Sequence, residues 1–522
     1  MNPLDSLIPI INAHAAELKA TGVISIRPGY KMQNGWPTKD PAIVVIVSKN
    51  APAISLPTQI QGIPIDIRKA TDVEELRFSQ PEKFSQIAAQ RAEFRNGAFP
   101  ELDPRSSESM TRQSPDSAAA AKPEIRYTPP DGVLLNSVSG NFPLTCHASP
   151  DAGWPTLRAF LAGTQSTLTV GMYDFTSKHI LDEVKSDLQG KQQLEIVLDN
   201  PAKNPTADQT DTQTLAALSS ELGDELMSAW ALVRSNKAIH RWIFPTAYHI
   251  KVAVRDSQTM WLSSGNWNNS NQPDIDPIEH PSADDQKIAR KSDRDWHVVI
   301  EEPSLAKTYE AFLKHDFEVA HSQENGDRDV MAPAAELPIE IPALEALAGG
   351  EFEFHKPLRI ENEAVTVTPL LTPDPGVYQP AMLRMVSSAQ KKLYIQLQYI
   401  HPSDKEQDAD FSALINAVIE RIQANVDVRI ILSQWQISHG WLERLQAAGV
   451  DLSVVKIQNG VHNKGFVVDS QVVALGSQNW SAEGALRNRD ASVIIENETA
   501  AKYFEQIFLH DWDRIAKQNT QQ

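Results

Sequence analysis

Two short strings carry the residues best suited to chemistry. His249-Ile-Lys251 is followed by Asp256, and His462-Asn-Lys464 by Asp469, so both read H-x-K-x4-D. Each reaches an asparagine 17 residues after its histidine: Asn266 in Ser263-Ser-Gly-Asn-Trp267 and Asn479 in Gly476-Ser-Gln-Asn-Trp480. Two strings with the same internal spacing, 213 residues apart (462 − 249), imply a duplicated half-site. The residue types suit cleavage of a phosphodiester without a metal. Lys251 and Lys464 can donate from an ammonium, Asn266 and Asn479 from a neutral amide, and Ser264 and Ser477 from a hydroxyl, all to non-bridging oxygens whose charge grows in the transition state. One histidine can attack phosphorus while the other protonates the leaving alkoxide and then activates water.

The elements that must position these groups are strands. Ile250, Val252 and Val254 alternate with His249, Lys251 and Ala253, which puts histidine and lysine on one strand face. Asp256 and Asp469 have the opposite parity. They are candidates for the chemistry, but the spacing favours fixing a turn or a buried ion pair. A third matched pair, Asp295 in Ser292-Asp-Arg-Asp295 and Asp490 in Arg487-Asn-Arg-Asp490, opens strand-like runs. Each aspartate could hydrogen-bond a histidine Nδ1 and fix its tautomer. Arg294 and Arg489 could bind phosphate or pair with these aspartates. Upstream, Ser149-Pro-Asp echoes Thr372-Pro-Asp, and Leu168–Tyr173 echoes Leu393–Gln398. Each echo leads into a helix, around 180–188 and 411–424, and another strand. The chain therefore reads as two α/β halves of β-α-β followed by the His-Lys strand.

These motifs resemble the phospholipase D superfamily, over roughly residues 131–520. The resemblance implies two pseudo-symmetric α/β halves sharing one active site at their interface, a covalent phosphohistidine, and no required metal or cofactor. His249, Lys251 and Asn266 match its motif in the first half, and His462, Lys464 and Asn479 in the second. Asp295 and Asp490 match the downstream acidic position. One departure is Ser263, where the usual pattern has glycine; with Ser264 and Asn266 retained, no loss of activity is expected. Retention of Asp256 and Asp469 argues against the tyrosyl-DNA phosphodiesterase branch. By analogy with the family, His249 is the nucleophile.

The chain has 522 residues, a net charge of −19 and one cysteine, Cys146, which excludes an intrachain disulfide. Cys146-His147 has no partner cysteine to make a metal pair. The acidity disfavours a tight nucleic-acid binder, although Arg241, Arg290, Lys291, Arg294, Arg487 and Arg489 could line a local basic cleft. No signal peptide or transmembrane run is read, so the expected location is cytoplasmic. Residues 1–95 read as a small accessory α/β head that could bind a protein partner. Residues 96–130 read as a flexible linker, 131–325 as the first half, 326–355 as a second linker and 356–522 as the second half. An insertion of 18 residues (29 − 11) separates Asn266 from Asp295, within 268–289, and is acidic enough to suit a cationic head group. Trp267, Trp480, Tyr173 and Tyr399 are candidate substrate contacts, with core packing as their alternative. The expected substrate is a phospholipid or related small diester. The alternatives are a nuclease with the same histidines, or a protein acting mainly through its head in an assembly.

Overall fold

The computed structural model describes residues 6–33, 36–49, 56–70, 127–190, 192–199, 208–234, 240–242, 247–324, 351–374 and 377–517, with a few single positions besides. Among these residues the body is built on two eight-stranded sheets. In the first, Thr167–Met172, Gln193–Leu198 and Leu226–Trp230 run parallel. Lys251–Arg255 then adds antiparallel to Thr167–Met172 and continues through Thr259–Ser263 to Asp295–Ile300 and Leu144–Ser149. The second sheet repeats this with Lys392–Leu397, Asp427–Ser433, Val455–Gln458, Lys464–Val468, Val472–Gly476, Asp490–Glu496 and Val365–Thr372. The crossover helices are Lys178–Asp187 and Ala409–Gln423, close to where the periodicity places them.

The halves exchange their edge strands. Leu358–Ile360 pairs with Leu144–Ser149 of the first sheet, and Val138–Gly140 pairs with Val365–Thr372 of the second. The spatial halves thus do not begin at 131 and 356, as composition suggested. Each exchange covers a sheet edge whose backbone groups would otherwise be unpaired. The stretches 127–130 and 351–355, assigned to linkers, are folded: His315 bonds the Thr128 carbonyl at 2.8 Å, and the amide of Gln286 donates to the Phe352 carbonyl at 2.8 Å. Most of 71–126 and all of 325–350 lie outside the described residues.

Two long helices, Pro303–Glu324 and Glu498–His510, lie between the sheets. Leu305, Tyr309, Phe312, Phe504 and Phe508 share one buried cluster with strand residues of both halves. The outer faces are covered separately, by Trp154, Leu157, Ile180 and Leu218 on the first sheet and Met382, Phe411, Leu414 and Leu445 on the second. Burial on both faces explains strands that are almost continuously apolar. The halves interlock unequally. A Cβ on Gly465 would lie 2.3 Å from the Trp296 ring, so the bare backbone there admits a tryptophan from the other half. At the corresponding positions the sizes reverse, to Val252 and Ala491.

The head is α/β, as expected, with strands in the order Val23–Gln33, Trp36–Val47, Ile63–Lys69, Gln59–Ile60. Its N-terminal helix is in two pieces, Leu7–Ala13 and Ala15–Leu18, broken at His14, where φ is −108°. The strands outrun their apolar stretches because pairing between them continues through Tyr30 and Pro41. No helix among the described residues is long and apolar enough to cross a membrane.

Candidate active site

The two histidines sit just before the strands, not within them, since those begin at Lys251 and Lys464. Each is tied to the opposite half. His249 donates its backbone N–H to the Arg489 carbonyl at 2.7 Å, and His462 to that of Arg294 at 3.2 Å. Their rings cross over in the same way. His249 Nδ1 lies 2.8 Å from Asp490 Oδ1, and His462 Nδ1 lies 3.1 Å from Asp295 Oδ1. Each carboxylate is fully buried and therefore holds one imidazole by Nδ1, which leaves Nε2 for chemistry. Ser264 and Ser477, expected at the substrate, instead donate to these carboxylates, at 2.6 Å to Asp295 and 2.5 Å to Asp490. Both serines are completely buried, so they orient the aspartates.

The pairs differ electrically. Burial, followed by Lys251, Lys464 and His462, pushes the proton affinity of His249 well below the ordinary histidine value. Burial also raises Asp490, to about 7. His462 is lowered by burial and Lys464, but Asp295 works against that. Burial alone would raise Asp295; the His462 imidazole and its hydrogen bond outweigh it and hold Asp295 at about 2. Burial and the ammonium groups thus favour the neutral form of His249, while His462 faces a carboxylate that favours its protonated form.

Lys251 and Lys464 are almost wholly buried, and each donates to the carbonyl of its own histidine. The Lys464 ammonium is also 3.2 Å from both ring nitrogens of His462. Asn266 and Asn479 are buried as well, and Asn271 of the insertion accepts the Asn266 backbone N–H at 2.9 Å. Tyr173 stands at the His249 ring, 4.8 Å between centroids, with Lys251 Nζ 5.0 Å from its own ring. Its counterpart in the second half is Gln398, not Tyr399, because Met172 and Leu397 pair with the equivalent lysines. Tyr399 is buried and stacks on His401 at 3.9 Å.

Several candidates lie elsewhere. Asp256 and Asp469 open two-residue turns with φ of 54° and 51° at the far ends of their strands. Asp256 accepts the backbone N–H groups of Gln165, Ser166 and Thr167. Asp469 accepts those of Gln390, Lys391 and Lys392. They pin a loop to a hairpin, roughly 20 Å from the histidines at the rise of a strand. Trp267 and Trp480 are fully buried; the first packs on Phe175 at 4.9 Å and the second on Phe466 at 4.9 Å. Apolar surroundings hold both in the core.

Arg294 and Arg489 pair with carboxylates other than the histidine-holding aspartates. Both are fully buried, Arg294 between Asp151 and Asp511 and Arg489 between Asp374 and Asp316. Arg487 pairs with Asp408. The expected basic cleft therefore loses three of its arginines. The four partner aspartates had a legible signal. Asp151 and Asp374 belong to the Ser/Thr-Pro-Asp echo, and His315-Asp316-Phe317 repeats as His510-Asp511-Trp512. In the insertion, Asn268 donates to Asp174 at 2.9 Å and Asp285 turns inward to Ser282, while Asp274, Glu279 and Asp284 are exposed. His147, next to Cys146, stacks on His297 at 4.7 Å.

The model of the family described as "Cardiolipin synthase, PLD-like domain" matches residues 157–316 and 382–512, both halves and both histidines. The chain belongs to the phospholipase D-like family. A phospholipase D of Rickettsia conorii is 33% identical over 101 residues, 19% of this chain and 50% of that protein. A cardiolipin synthase of Clostridium perfringens is 28% identical over 130 residues, 24% of this chain and 26% of that protein. The chain thus spans half or less of the curated relatives it matches. Among solved structures, a phosphatidylserine synthase of Haemophilus influenzae aligns over 72% of this chain and 89% of its own, at 12% identity and a TM-score of 0.46. Nuc of Salmonella typhimurium, a phospholipase D family member, aligns over 30% of this chain and 99% of its own, at 17% identity and a TM-score of 0.25.

Proposed function

We propose that this chain hydrolyses a phosphodiester through a covalent phosphohistidine, with a phospholipid or related small diester as substrate. The observation that carries the reading is the crossed pair, His249 on Asp490 and His462 on Asp295, with a lysine and an asparagine from each half beside it. His249 is held neutral, so its Nε2 lone pair can attack phosphorus. As the P–N bond forms, the P–O bond to the leaving alcohol breaks and His462 Nε2 delivers a proton to that oxygen. His462 then takes a proton from water, the hydroxide adds to phosphorus, and the P–N bond breaks to regenerate His249. Lys251, Lys464, Asn266 and Asn479 are preorganised donors to the non-bridging oxygens, the kind of term that is usually largest in such a site.

A small diester is favoured over a nucleic acid because the chain is acidic, at −19, and Arg294, Arg487 and Arg489 are spent on internal carboxylates. A backbone track needs several accessible cations. The test is a parallel assay, in EDTA, on phosphatidylcholine and phosphatidylethanolamine vesicles and on single- and double-stranded DNA and RNA, with the His462→Ala protein as blank. Head-group release above the blank is expected. Cleaved nucleic acid beside intact lipid would replace the lipid reading with a nuclease.

A further inference from the structure

We infer that Glu443 is a positioning residue: Arg27 and Arg68 of the head close on it as a latch, and the latch holds in place the second-half segment that backs His462 and Asn479. The inference rests on the reading of those residues as catalytic.

Glu443 lies in the helix Trp441–Ala447, 3% exposed. Its carboxylate is 2.6 Å from Arg68 and 3.6 Å from Arg27, both on the head's strands. Burial would raise that carboxyl, and the two guanidiniums overcome it and hold it below the ordinary range. Arg68 is itself fixed by Asp66 at 2.9 Å and by the Tyr30 carbonyl at 2.5 Å. Gly440 precedes the helix with φ of 72°, and a Cβ there would lie 2.9 Å from the Arg27 guanidinium. Glycine therefore serves both the turn and the close approach of the head. Ala447, one turn beyond Glu443, packs into the apolar cluster of the head. A buried carboxylate neutralised by two arginines of the head is costly to leave without them, so the head is bound here rather than merely tethered.

From the helix that carries Glu443, contacts run on to the residues read as catalytic. Trp441, two residues before it, stacks on His401 at 3.8 Å, and His401 on Tyr399 at 3.9 Å. Gln436 accepts the Ile400 backbone N–H at 2.9 Å and donates to the carbonyls of Ile400 and Trp441. The segment 398–401 in turn grips the site. Gln398 donates its backbone N–H to the Asn463 carbonyl at 3.0 Å, and His401 to the carbonyl of Trp480, next to Asn479, at 2.8 Å. On the other side, Gln434 accepts the Gly460 N–H at 3.1 Å, and the Gly460 carbonyl accepts that of Arg294, the neighbour of Asp295. The segment 434–447 thus touches the head through Glu443 and Ala447, and the supports of His462 through Gln434, Gln436 and Trp441.

Hydrogen exchange and steady-state turnover are measured on the full chain and on Glu443→Gln, Arg68→Ala, their double variant and Glu443→Asp. Arg68→Ala changes only the head, so it keeps the test open if Glu443→Gln does not fold. Undocking is read from the amides of Val23–Gln33. With the head undocked, exchange at Ile400 and His401 is expected to rise at least about tenfold while Val252–Val254 stay protected. The kcat should fall about tenfold, with KM within about threefold, as expected for a displaced catalytic group. The double variant should be no worse than the singles, and Glu443→Asp should recover most of the rate. An undocked head with Ile400, His401 and kcat all unchanged would overturn the inference. The exchange arm needs no substrate, so it decides even if the protein proves not to cleave phosphodiesters.

Discussion

The two histidines share a sequence motif but not an environment, and under the proposed mechanism that difference divides their work. A nucleophile must be unprotonated, and burial beside two ammonium groups keeps His249 so. A general acid must carry a proton, and ionised Asp295, at about 2, favours that on His462. Since His462 titrates below the ordinary histidine value, its protonated fraction declines as pH rises through that point. The kcat/KM is predicted to be greatest on the acid side of neutrality and to fall toward alkaline pH; a profile rising above pH 7 would contradict the assignment. Asp490 supplies a second prediction. Its folded pKa, about 7, lies above the ordinary carboxylate value, so its contribution to stability is full at low pH and is lost as pH rises through 7. Asp490→Asn removes that penalty while leaving an acceptor for His249. The variant should lose activity at least about tenfold, and its gain in Tm should be larger at pH 8 than at pH 5. Equal effects at both pH values would mean that Asp490 titrates normally.

At the scale of elements, the placement of the histidine, lysine and asparagine was legible because all three lie on or just beside one hairpin, where spacing dictates position. The partner of each histidine was not, because crossing between halves is set by how two sheets face each other, and local spacing is silent about that. The aspartate of H-x-K-x4-D shows the limit of a motif. Its fixed distance from the histidine reflects the length of a strand ending in a turn. Asp469→Asn, which tolerates positive φ and keeps an acceptor, should lower stability by about 1 kcal/mol and leave kcat/KM within about threefold. A loss of turnover without unfolding would return Asp469 to the chemistry. The buried arginines behave oppositely. Arg294→Met strands Asp151 and Asp511 without their cation and should cost about 3–5 kcal/mol, seen as a large drop in Tm; a nearly unchanged Tm would show that the ion triad is dispensable. The repeated His-Asp-aromatic triplet, within the first central helix and at the end of the second, could have revealed this triad in advance.

For the whole molecule, the duplicated chain is one structure. Exchanged edge strands, a shared core between the sheets and crossed histidine–aspartate pairs all require both halves together. The α/β class and the repeat were readable from the sequence, but the half boundaries were not, because a strand exchanged across an interface carries no compositional mark. With Lys251 and Lys464 supplying positive charge, turnover is predicted to persist in EDTA; abolition that added metal restores would contradict that. The most direct test of the central claim uses the His462→Ala protein and a phosphodiester with a p-nitrophenyl leaving group, which needs no acid to depart. Without His462 the second step lacks its base, so about one equivalent of p-nitrophenolate should appear rapidly and a phosphoryl adduct should remain on the protein. Peptide mapping under alkaline conditions should place that adduct on His249. No burst and no adduct, or an adduct on another residue, would contradict the account.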